Sequence, residues 1–278
     1  MFENIDQGLS SVSESLLVTL YLRAEESQRP DALIKDEKEV ALVAQMSYDF
    51  AQIRKIPLSE ANKLVIILRN REFDRYARDF LKRNPEAVVV HIGCGLDSRF
   101  ERVAERNEQV EWYDLDLPEV IELRRKYISD EVGRHHLLGC SILEDAWLDT
   151  VSAHRQRPFL FLAEGVFMYF KEAQVKSLVL TLRDRFPGAE LVFDAYSPLH
   201  VWVHNLQMST TKVVLRVYWG IWRGQSLEGW GDGIRLLDEW GFFDRPEPRL
   251  ARFPLLRPID SLFRTMRLYH FQLGEASG

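Results

Sequence analysis

From Pro85 onward, short apolar runs alternate with charged stretches in which hydrophobic residues recur at helical spacing. Apolar runs of this length are typical of buried parallel strands, and the stretches between them are typical of helices that cover a sheet. The pattern predicts an α/β fold with a doubly wound, mostly parallel sheet and helices on both faces. The predicted strands are Ala87–Ile92, Val110–Tyr113, His136–Leu138, Phe159–Ala163 and Leu191–Phe193.

The part of the chain before this alternation has a different hydrophobic pattern. Residues 10–82 follow helical periodicity, with breaks near Pro30 and Pro57. We therefore expect an N-terminal helical extension, a cap over residues 1–82, joined to a core domain over residues 83–278.

Two further segments lie outside the regular alternation. Ser197–Gly233 is rich in tryptophan, histidine and glycine, and it follows the last predicted parallel strand. An insert at the carboxyl end of a strand is well placed to cover a ligand crevice, so we expect a lid or substrate-binding insert there. Near the end of the chain, Arg249–Phe253 and Met266–Leu273 are expected to form a closing antiparallel pair.

The first predicted strand runs directly into a Gly-x-Gly turn at Gly93 and Gly95. Glycine allows the backbone to approach a ligand closely, as in nucleotide-binding turns. About 20 residues further along, Asp114 and Asp116 lie at the end of the second strand, where an acid grips ribose hydroxyls. Ser98 stands where a dinucleotide-binding motif has its third glycine, which favours S-adenosylmethionine over NAD.

Charge and cysteine content narrow the range of partners. A net charge of −6 disfavours nucleic acid as the partner. The two cysteines, Cys94 and Cys140, give neither a disulfide framework nor metal-ligand spacing, so no metal is expected. Residues 1–6 lack the basic region of a signal peptide, and no apolar run approaches the roughly 20 residues of a membrane span. These features predict a cytoplasmic protein that does not bind membranes.

Two consecutive motifs, HIGCGLDSR at residues 91–99 and WYDLDLPEV at residues 112–120, resemble the leucine carboxyl methyltransferase superfamily. The likeness is closer to its bacterial branch of tetracenomycin-type polyketide carboxyl methyltransferases. The similarity extends from about residue 13 to about residue 197, with the motifs in the family's order. Three further segments carry it, namely RNREFD at 69–74, SILEDAW at 141–147 and AEGVFMY at 163–169.

The resemblance implies a Rossmann-like class I methyltransferase fold with seven strands, acting on an oxygen atom and often on a carboxylate. It implies S-adenosylmethionine as the cofactor and favours Asp116 over Asp114 as the ribose-binding acid. Ser141 departs from the acid-bearing variant of the adenine site. The residues that it assigns to the cofactor on these motifs are Gly93, Cys94, Gly95, Asp116, Leu117, Ser141 and Ile142.

Arg69 can be singled out from helical periodicity alone. It lies on the apolar stripe of the helix, four residues before Phe73. An arginine on a buried face needs an anion. The carboxylate of S-adenosylmethionine suits a bidentate guanidinium, although an internal acid would serve equally. Arg71 and Asp74 are expected on the surface, with Asp74 supporting Arg78 four residues later.

Three polar residues follow the fourth and fifth strands. Glu164 comes directly after a fully apolar strand, so an unpaired carboxylate there would be costly. We expect Glu164 to hold the cofactor or backbone amides. Tyr169 and Asp194 lie near the same sheet edge, and each is a candidate for substrate contact or for a structural hydrogen bond.

The predicted insert contains candidates for a general base. His200 and His204 could deprotonate a hydroxyl substrate, although such residues more often pack or face solvent. The tryptophans nearby indicate a planar or apolar acceptor. No dedicated base is obvious, which favours a carboxylate acceptor.

The sequence is thus interpreted as an S-adenosylmethionine-dependent O-methyltransferase that acts on a small-molecule, polyketide-like acid in secondary metabolism. Four alternatives stay open at this point. They are methylation of a phenol or hydroxyl, methylation of a protein C-terminus, an inactive cofactor-binding scaffold, and an NAD-linked oxidoreductase.

Overall fold

The computed structural model describes residues 11–56, 58–128, 133–208 and 216–275. Within these ranges the chain forms a seven-stranded sheet in the order β3-β2-β1-β4-β5-β7-β6. The first five strands are parallel, and β7 pairs antiparallel with both β5 and β6. The strands are β1 Val88–Ile92, β2 Glu111–Asp116, β3 His135–Gly139, β4 Phe159–Ala163, β5 Ala189–Tyr196, β6 Ile234–Trp240 and β7 Met266–Leu273.

The predicted mostly parallel sheet with helices is therefore confirmed. The described helices that precede the sheet are α1 Ser11–Ser27, α2 Glu37–Gln45, α3 Ala51–Arg54 and α4 Glu60–Arg83. Those that follow β1 are α5 Arg99–Val103, α6 Pro118–Tyr127, α7 Ala146–Val151, α8 Glu172–Arg185, α9 Pro198–Met208 and α10 Leu256–Phe263.

The sheet has a separate hydrophobic core on each face, because successive side chains of a strand point to opposite sides. In β1, Val88, Val90 and Ile92 pack on the face that α8 covers. Val89 packs on the other face, among apolar residues of α4 and α5. Both faces are covered, which explains why β1 and β4 are apolar at nearly every position rather than alternating.

Helix α4 carries both apolar and charged residues to the sheet. Its N-terminus is capped by Ser59, whose hydroxyl accepts a hydrogen bond of 3.1 Å from the Asn62 N–H. The expectation that Asp74 lies on the surface is wrong. Asp74 is buried, and its carboxylate accepts hydrogen bonds of 2.9 Å from Arg99 Nε and 2.8 Å from Arg102 Nε, both belonging to the α5 segment.

Counting apolar positions misplaced Asp74 because it lies on the face of α4 that turns toward α5, where buried charges pair with one another. The predicted ion pair with Arg78 is present at 3.5 Å. Arg71 lies nearer the surface, and its Nη1 contacts Glu247 Oε2 at 2.9 Å.

The predicted closing pair is half correct. Met266–Leu273 is strand β7, but its antiparallel partner is β6 rather than Arg249–Phe253. The latter segment contains a 3₁₀ turn at Leu250–Arg252. Prolines at 246, 248 and 254 flank it. They lack the backbone N–H that a paired strand needs, so the segment does not join the ladder.

The predicted insert begins with α9 and ends with a 3₁₀ helix at Gly224–Trp230. Its residues 209–215 lie outside the described residues, as do residues 1–10 of the predicted cap. After the gap, backbone hydrogen bonds of 2.8 Å run from Tyr218 N–H to Met168 O and from Ile221 N–H to Tyr196 O. These bonds hold the segment against the carboxyl ends of β4 and β5, while its function as a lid stays a prediction.

Candidate functional site

A cavity of about 550 Å³ follows the carboxyl edge of the parallel strands. Small-molecule sites typically enclose about 300–1,000 Å³, and open α/β sheets bind their ligands at this edge. All of the residues that the sequence assigned to the cofactor line this cavity. They are Arg69, Gly93, Cys94, Gly95, Asp116, Leu117, Ser141, Ile142 and Glu164.

The turn after β1 needs glycine for conformational reasons. Gly93 and Gly95 have φ values of 65° and 53°, a region that other residues rarely adopt. A Cβ at Gly93 would overlap Val166 Cγ2, and one at Gly95 would lie 2.7 Å from Leu16 Cδ2. The Gly93 N–H donates a hydrogen bond of 2.7 Å to Leu115 O. The turn thus keeps the floor of the cavity open.

Asp116 connects this turn to the end of β2. Its Oδ2 accepts a hydrogen bond of 2.8 Å from the Gly95 N–H, and its Oδ1 accepts one of 2.8 Å from the Leu117 N–H. Burial raises the pKa of Asp116, although the two backbone donors oppose that effect. Each carboxylate oxygen can accept a second hydrogen bond, so the group can still receive two ribose hydroxyls.

Asp114 is directed away from the cavity. Its side chain is fully buried, and it pairs with Arg124 and with His135 Nε2 at 2.8 Å. Burial opposes ionisation, but Arg124 and the two neighbouring histidines hold the pKa of Asp114 well below its usual value. Asp114 is therefore a structural ion-pair partner, and Asp116 is the one of these two acids that lines the cavity.

The predicted adenine residues follow β3. Ser141 and Ile142 line the cavity next to Cys140. The Ser141 hydroxyl accepts a hydrogen bond of 3.2 Å from the Leu143 N–H, which closes the turn, and its own proton remains available for donation. Ile142 is buried against Trp147, whose Nε1–H donates to Ile142 O at 3.2 Å.

Arg69 lies on the cavity wall and is already paired. Its Nε donates to Glu164 Oε1 at 3.0 Å, and its Nη1 donates to Asp194 Oδ2 at 3.3 Å. The sequence allowed either the cofactor carboxylate or an internal acid as the partner of Arg69, and internal acids are present. Its Nη2 has no partner within the described ranges, so one edge of the guanidinium can still bind an anion.

We expected Glu164 to hold the cofactor or backbone amides, and in the structure its hydrogen-bond donors are side chains. Besides Arg69, the donors are Arg99 Nη2 and, at 3.3 Å, Asn70 Nδ2. Burial disfavours the charged form, but Arg99 and Arg69 outweigh it, and the pKa of Glu164 lies below its usual value. Its contact with the cofactor stays a prediction.

Helix α1 contributes three residues to the cavity wall. Leu16, Thr19 and Arg23 line it. Arg23 Nε contacts both Glu39 oxygens, at 2.7 and 2.8 Å, in a buried pair between α1 and α2. Sequence analysis missed this contribution because no apolar periodicity or motif marks a charged pair of residues in two separate helices.

The four candidates for substrate contact have different positions. Tyr169 lines the cavity, and burial raises its pKa. Asp194 is fully buried behind the wall, where it accepts a hydrogen bond of 2.6 Å from the Gly165 N–H. His200 and His204 are not on the cavity wall; both rings stack near Tyr196, with centroids 4.5 and 6.2 Å away.

Tyr196, Arg216 and Tyr218 line the cavity wall and were not predicted as site residues. Tyr196 ends β5 and lies two residues after Asp194, so strand alternation could have placed it on the same face. Burial raises the pKa of Tyr196 to about 12. Arg216 and Tyr218 belong to the insert, where the sequence has no motif to identify them.

Two further observations concern possible cofactors and membranes. Among the residues that the structure describes, no group of three or more His, Cys, Asp or Glu side chains is arranged to hold a metal ion. In the same part of the chain, no helix combines the length and the hydrophobicity that crossing a bilayer requires.

Comparison with solved structures supports the fold. A DUF574 family protein from Streptomyces avermitilis superposes with a TM-score of 0.59 at 14% identity, covering 95% of this chain and 99% of that chain. A candidate methyltransferase from Thermobifida fusca gives a TM-score of 0.58 at 14% identity, covering 92% and 94%. Together with the strand order, these similarities assign the chain to the class I methyltransferase fold.

Comparison of sequences identifies the family. The leucine carboxyl methyltransferase family matches residues 16–183. The tetracenomycin polyketide synthesis O-methyltransferase TcmP of Streptomyces glaucescens is 35% identical over 86% of each chain. An S-adenosyl-L-methionine-dependent methyltransferase of Gibberella zeae, dpfgK, is 30% identical over 72% of each chain. This chain is therefore an S-adenosylmethionine-dependent methyltransferase and belongs to the leucine carboxyl methyltransferase family.

Proposed function

We propose that this enzyme is an O-methyltransferase that esterifies the carboxylate of a small, polyketide-like acid. The observation that carries the proposal is that the described cavity wall offers no free histidine. His91 lines the cavity, but its Nδ1 lies 3.2 Å from Asp114 Oδ1 and its Nε2 lies 3.1 Å from Arg99 Nη1. Both ring nitrogens are therefore occupied, and His91 is unsuited to act as a general base.

The acids on the wall are equally unsuited to deprotonate an acceptor. Glu164 and Asp97 are held ionised by arginines, and their depressed pKa values make them weak bases. Asp116 accepts hydrogen bonds from two backbone amides at the opposite part of the cavity. A carboxylate acceptor is already ionised at neutral pH, whereas a phenol with a pKa near ~10 would need such a base. The site therefore favours a carboxylate.

The residues present suit S-adenosylmethionine. The open turn at Gly93 and Gly95 leaves room for the backbone to approach it, and Asp116 has free acceptor capacity for the ribose hydroxyls. Ser141 and Ile142 offer a hydroxyl and an apolar surface for the adenine ring. The free Nη2 of Arg69 can bind the methionine carboxylate. When bound, the cofactor supplies a methyl group that its sulfonium makes electrophilic.

The protein's own contribution is positioning. Arg69 is fixed by Glu164 and Asp194, so its remaining donor edge is pre-oriented toward the cavity. The Tyr169 and Tyr196 hydroxyls have no hydrogen-bond partner in the described ranges and can donate to an acceptor carboxylate. Well-oriented reactants can gain roughly 7–11 kcal/mol from such positioning.

The relatives support a small molecule over a protein C-terminus as the acceptor. The relative named for tetracenomycin polyketide synthesis aligns over 86% of this chain. Leucine carboxyl methyltransferase 1 of Caenorhabditis elegans is 25% identical and aligns over 42% of this chain. An alignment over 86% of this chain is long enough to include the cavity residues Tyr196, Arg216 and Tyr218.

The proposal is tested by the pH dependence of methyl transfer to a panel of aromatic acids and their matching phenols, namely benzoate, 2-naphthoate, phenol and 2-naphthol. We expect transfer to an acid, with kcat/KM for that acid constant between about pH 6 and 9, because the acceptor stays ionised throughout that range. Transfer restricted to phenols, or a kcat/KM for acids that rises with a pKa near 7, would contradict the proposal.

A further inference from the structure

The part of the cavity wall that the structure describes carries three arginines, which differ in their pairing. Arg23 and Arg69 are each bound by the buried carboxylates described above. Arg216 lines the same cavity, is exposed, and forms no ion pair with a residue in the described ranges. Charged groups beside a largely apolar cavity attract a counter-ion of opposite sign. Arg216 is thus a cation without an ion-pair partner among the described residues, in the part of the cavity that Tyr169, Tyr196 and Tyr218 line, which we call the acceptor end.

The surroundings of Arg216 fix its position relative to β4. Its guanidinium carbon lies 5.6 Å from the centre of the Tyr218 ring. The Tyr218 N–H donates a hydrogen bond of 2.8 Å to Met168 O, just beyond the Glu164–Gly165 turn. The arginine and its supporting ring are therefore tied to the strand end where the acceptor must meet the methyl group.

Aromatic side chains form the rest of this end of the cavity. Tyr169, Phe170, Tyr196 and Tyr218 all line it. Burial raises the pKa values of Tyr169 and Tyr196, so their hydroxyls remain protonated and able to donate. This end of the cavity therefore combines flat apolar rings with two hydroxyl donors and the Arg216 guanidinium. It complements a molecule that carries both an aromatic ring and an anionic group.

We propose that Arg216 is a specificity-determining residue that selects aromatic carboxylic acids by forming an ion pair with the acceptor's carboxylate. The inference rests on the proposed function and names the acceptor class and the residue that recognises it. Methylation converts the anionic acid into a neutral ester, so the ion pair is lost when the product forms. Arg216 therefore favours binding of the acid and release of the ester.

The test measures binding by calorimetry on enzyme saturated with S-adenosylhomocysteine, with 2-naphthoate and methyl 2-naphthoate as probes. We expect the wild-type enzyme to bind the acid about tenfold more tightly than the ester, as for one charge-assisted contact. Arg216→Gln should reduce this preference to about twofold or less, and Arg216→Lys should retain part of it, because lysine keeps the charge without the planar fork. The affinity for S-adenosylhomocysteine should stay unchanged.

Arg223→Gln is the matched control, because Arg223 is an exposed arginine of the same segment that lies outside this cavity. It should keep the wild-type preference for the acid. Equal affinity of the wild-type enzyme for acid and ester, no binding of 2-naphthoate, or an unchanged preference in Arg216→Gln would overturn the inference. Loss of S-adenosylhomocysteine binding in Arg216→Gln would assign Arg216 to the cofactor and would also overturn it.

The two proposals fail in different ways. Methylation of an acid, together with an Arg216→Gln variant that keeps the wild-type preference for acid over ester, would remove only the inference about Arg216. Methylation confined to phenols in the acceptor panel would remove the proposed function itself.

Discussion

Among the residues proposed to bind the cofactor, Asp116 gives the most direct test. Asp116→Asn keeps the side-chain volume but removes the charge that would bind two ribose hydroxyls. We expect the affinity for S-adenosylhomocysteine to fall about ten- to hundredfold, as for a lost hydrogen bond to a charged group. Calorimetry measures the change. Asp184→Asn, at an exposed carboxylate paired with Arg183, should bind like the wild-type enzyme, and equal affinities for both variants would contradict the assignment.

Gly93 gives a second prediction at this scale, because one added carbon there has a defined consequence. Gly93→Ala places a methyl group at a φ of 65° and against Val166 Cγ2. We expect the free energy of unfolding to fall by about 2 kcal/mol, the usual cost of such backbone strain. Urea denaturation measures it. Gly229→Ala serves as the comparison, because a Cβ there meets nothing within 4 Å; a similar loss in both variants would argue against strain at Gly93.

At this scale, the sequence predicted residues that a strand end or a motif marks. Asp116, Gly93 and Glu164 each follow directly from an apolar run, so their place at the sheet edge could be inferred. The partners of Glu164 could not, because Arg99 and Asn70 reach it from other elements. The position of Tyr196 could have been inferred from strand alternation. The position of Arg216 could not, because it depends on how the insert folds back over β4.

Between elements, buried ion pairs fix the N-terminal helices to the rest of the chain. Glu26 in α1 contacts Arg249 Nη1 at 2.5 Å and Nη2 at 3.0 Å, and it also accepts a hydrogen bond of 2.8 Å from the Leu33 N–H. Glu26→Gln leaves the Arg249 guanidinium without its charge partner. We expect the free energy of unfolding to fall by about 3 kcal/mol.

Urea denaturation again measures this loss, and the adjacent residue supplies the control. Glu25 is exposed on the same helix, so Glu25→Gln should change stability by less than about 0.5 kcal/mol. If the two variants were equally stable, Glu26 would not hold α1 to the Arg249 segment.

Glu190 of β5 forms ion pairs with residues of β7 and α4, and their contribution to stability should depend on pH. Glu190 contacts His270 Nε2 at 2.7 Å and Arg83 Nη1 at 2.9 Å. Burial opposes ionisation, but these two partners lower the pKa of Glu190 to about 2. Because the folded pKa is depressed, its stabilising contribution is complete above the unfolded value near ~4.3 and is lost as pH falls toward about 2.

We therefore expect Glu190→Gln to be less stable than the wild-type protein at pH 7, with a difference that shrinks by pH 3. Urea midpoints at both pH values measure this. Glu144→Gln, at an exposed loop residue, should show no such pH-dependent difference. A constant difference for Glu190→Gln across this range would show that the carboxylate's charge is not what stabilises β5.

Element prediction succeeded where hydrophobic runs are complete and failed where they are not. The apolar runs of β1 and β4 are buried on both faces, so the pattern marks them clearly. Strand β6 lies at the sheet edge, is largely exposed, and has an irregular register between Leu236 and Asp238. The acidic residues Asp238 and Glu239 interrupt its apolar pattern, so the sequence did not predict β6. The prolines around Arg249–Phe253 argue against a paired strand there, but that segment was predicted as one.

For the whole molecule, the sheet order brings together residues from distant parts of the sequence around one cavity. The α/β architecture could be predicted because alternating strands and helices allow few topologies. The division of the cavity into a cofactor end and an acceptor end could not, because α1 and the insert reach it from opposite ends of the chain. We propose that substrate choice depends on those two segments, in which the sequence shows no motif.

The central claim is that the oxygen receiving the methyl group belongs to a carboxylate. The most direct test supplies S-adenosylmethionine labelled in its methyl group, with the paired acids and phenols as acceptors, and measures the label released as methanol after alkaline hydrolysis. Methyl esters release methanol under these conditions, and aryl methyl ethers do not. The account predicts that the transferred label is released as methanol. Label that stays on the acceptor after alkali would contradict it.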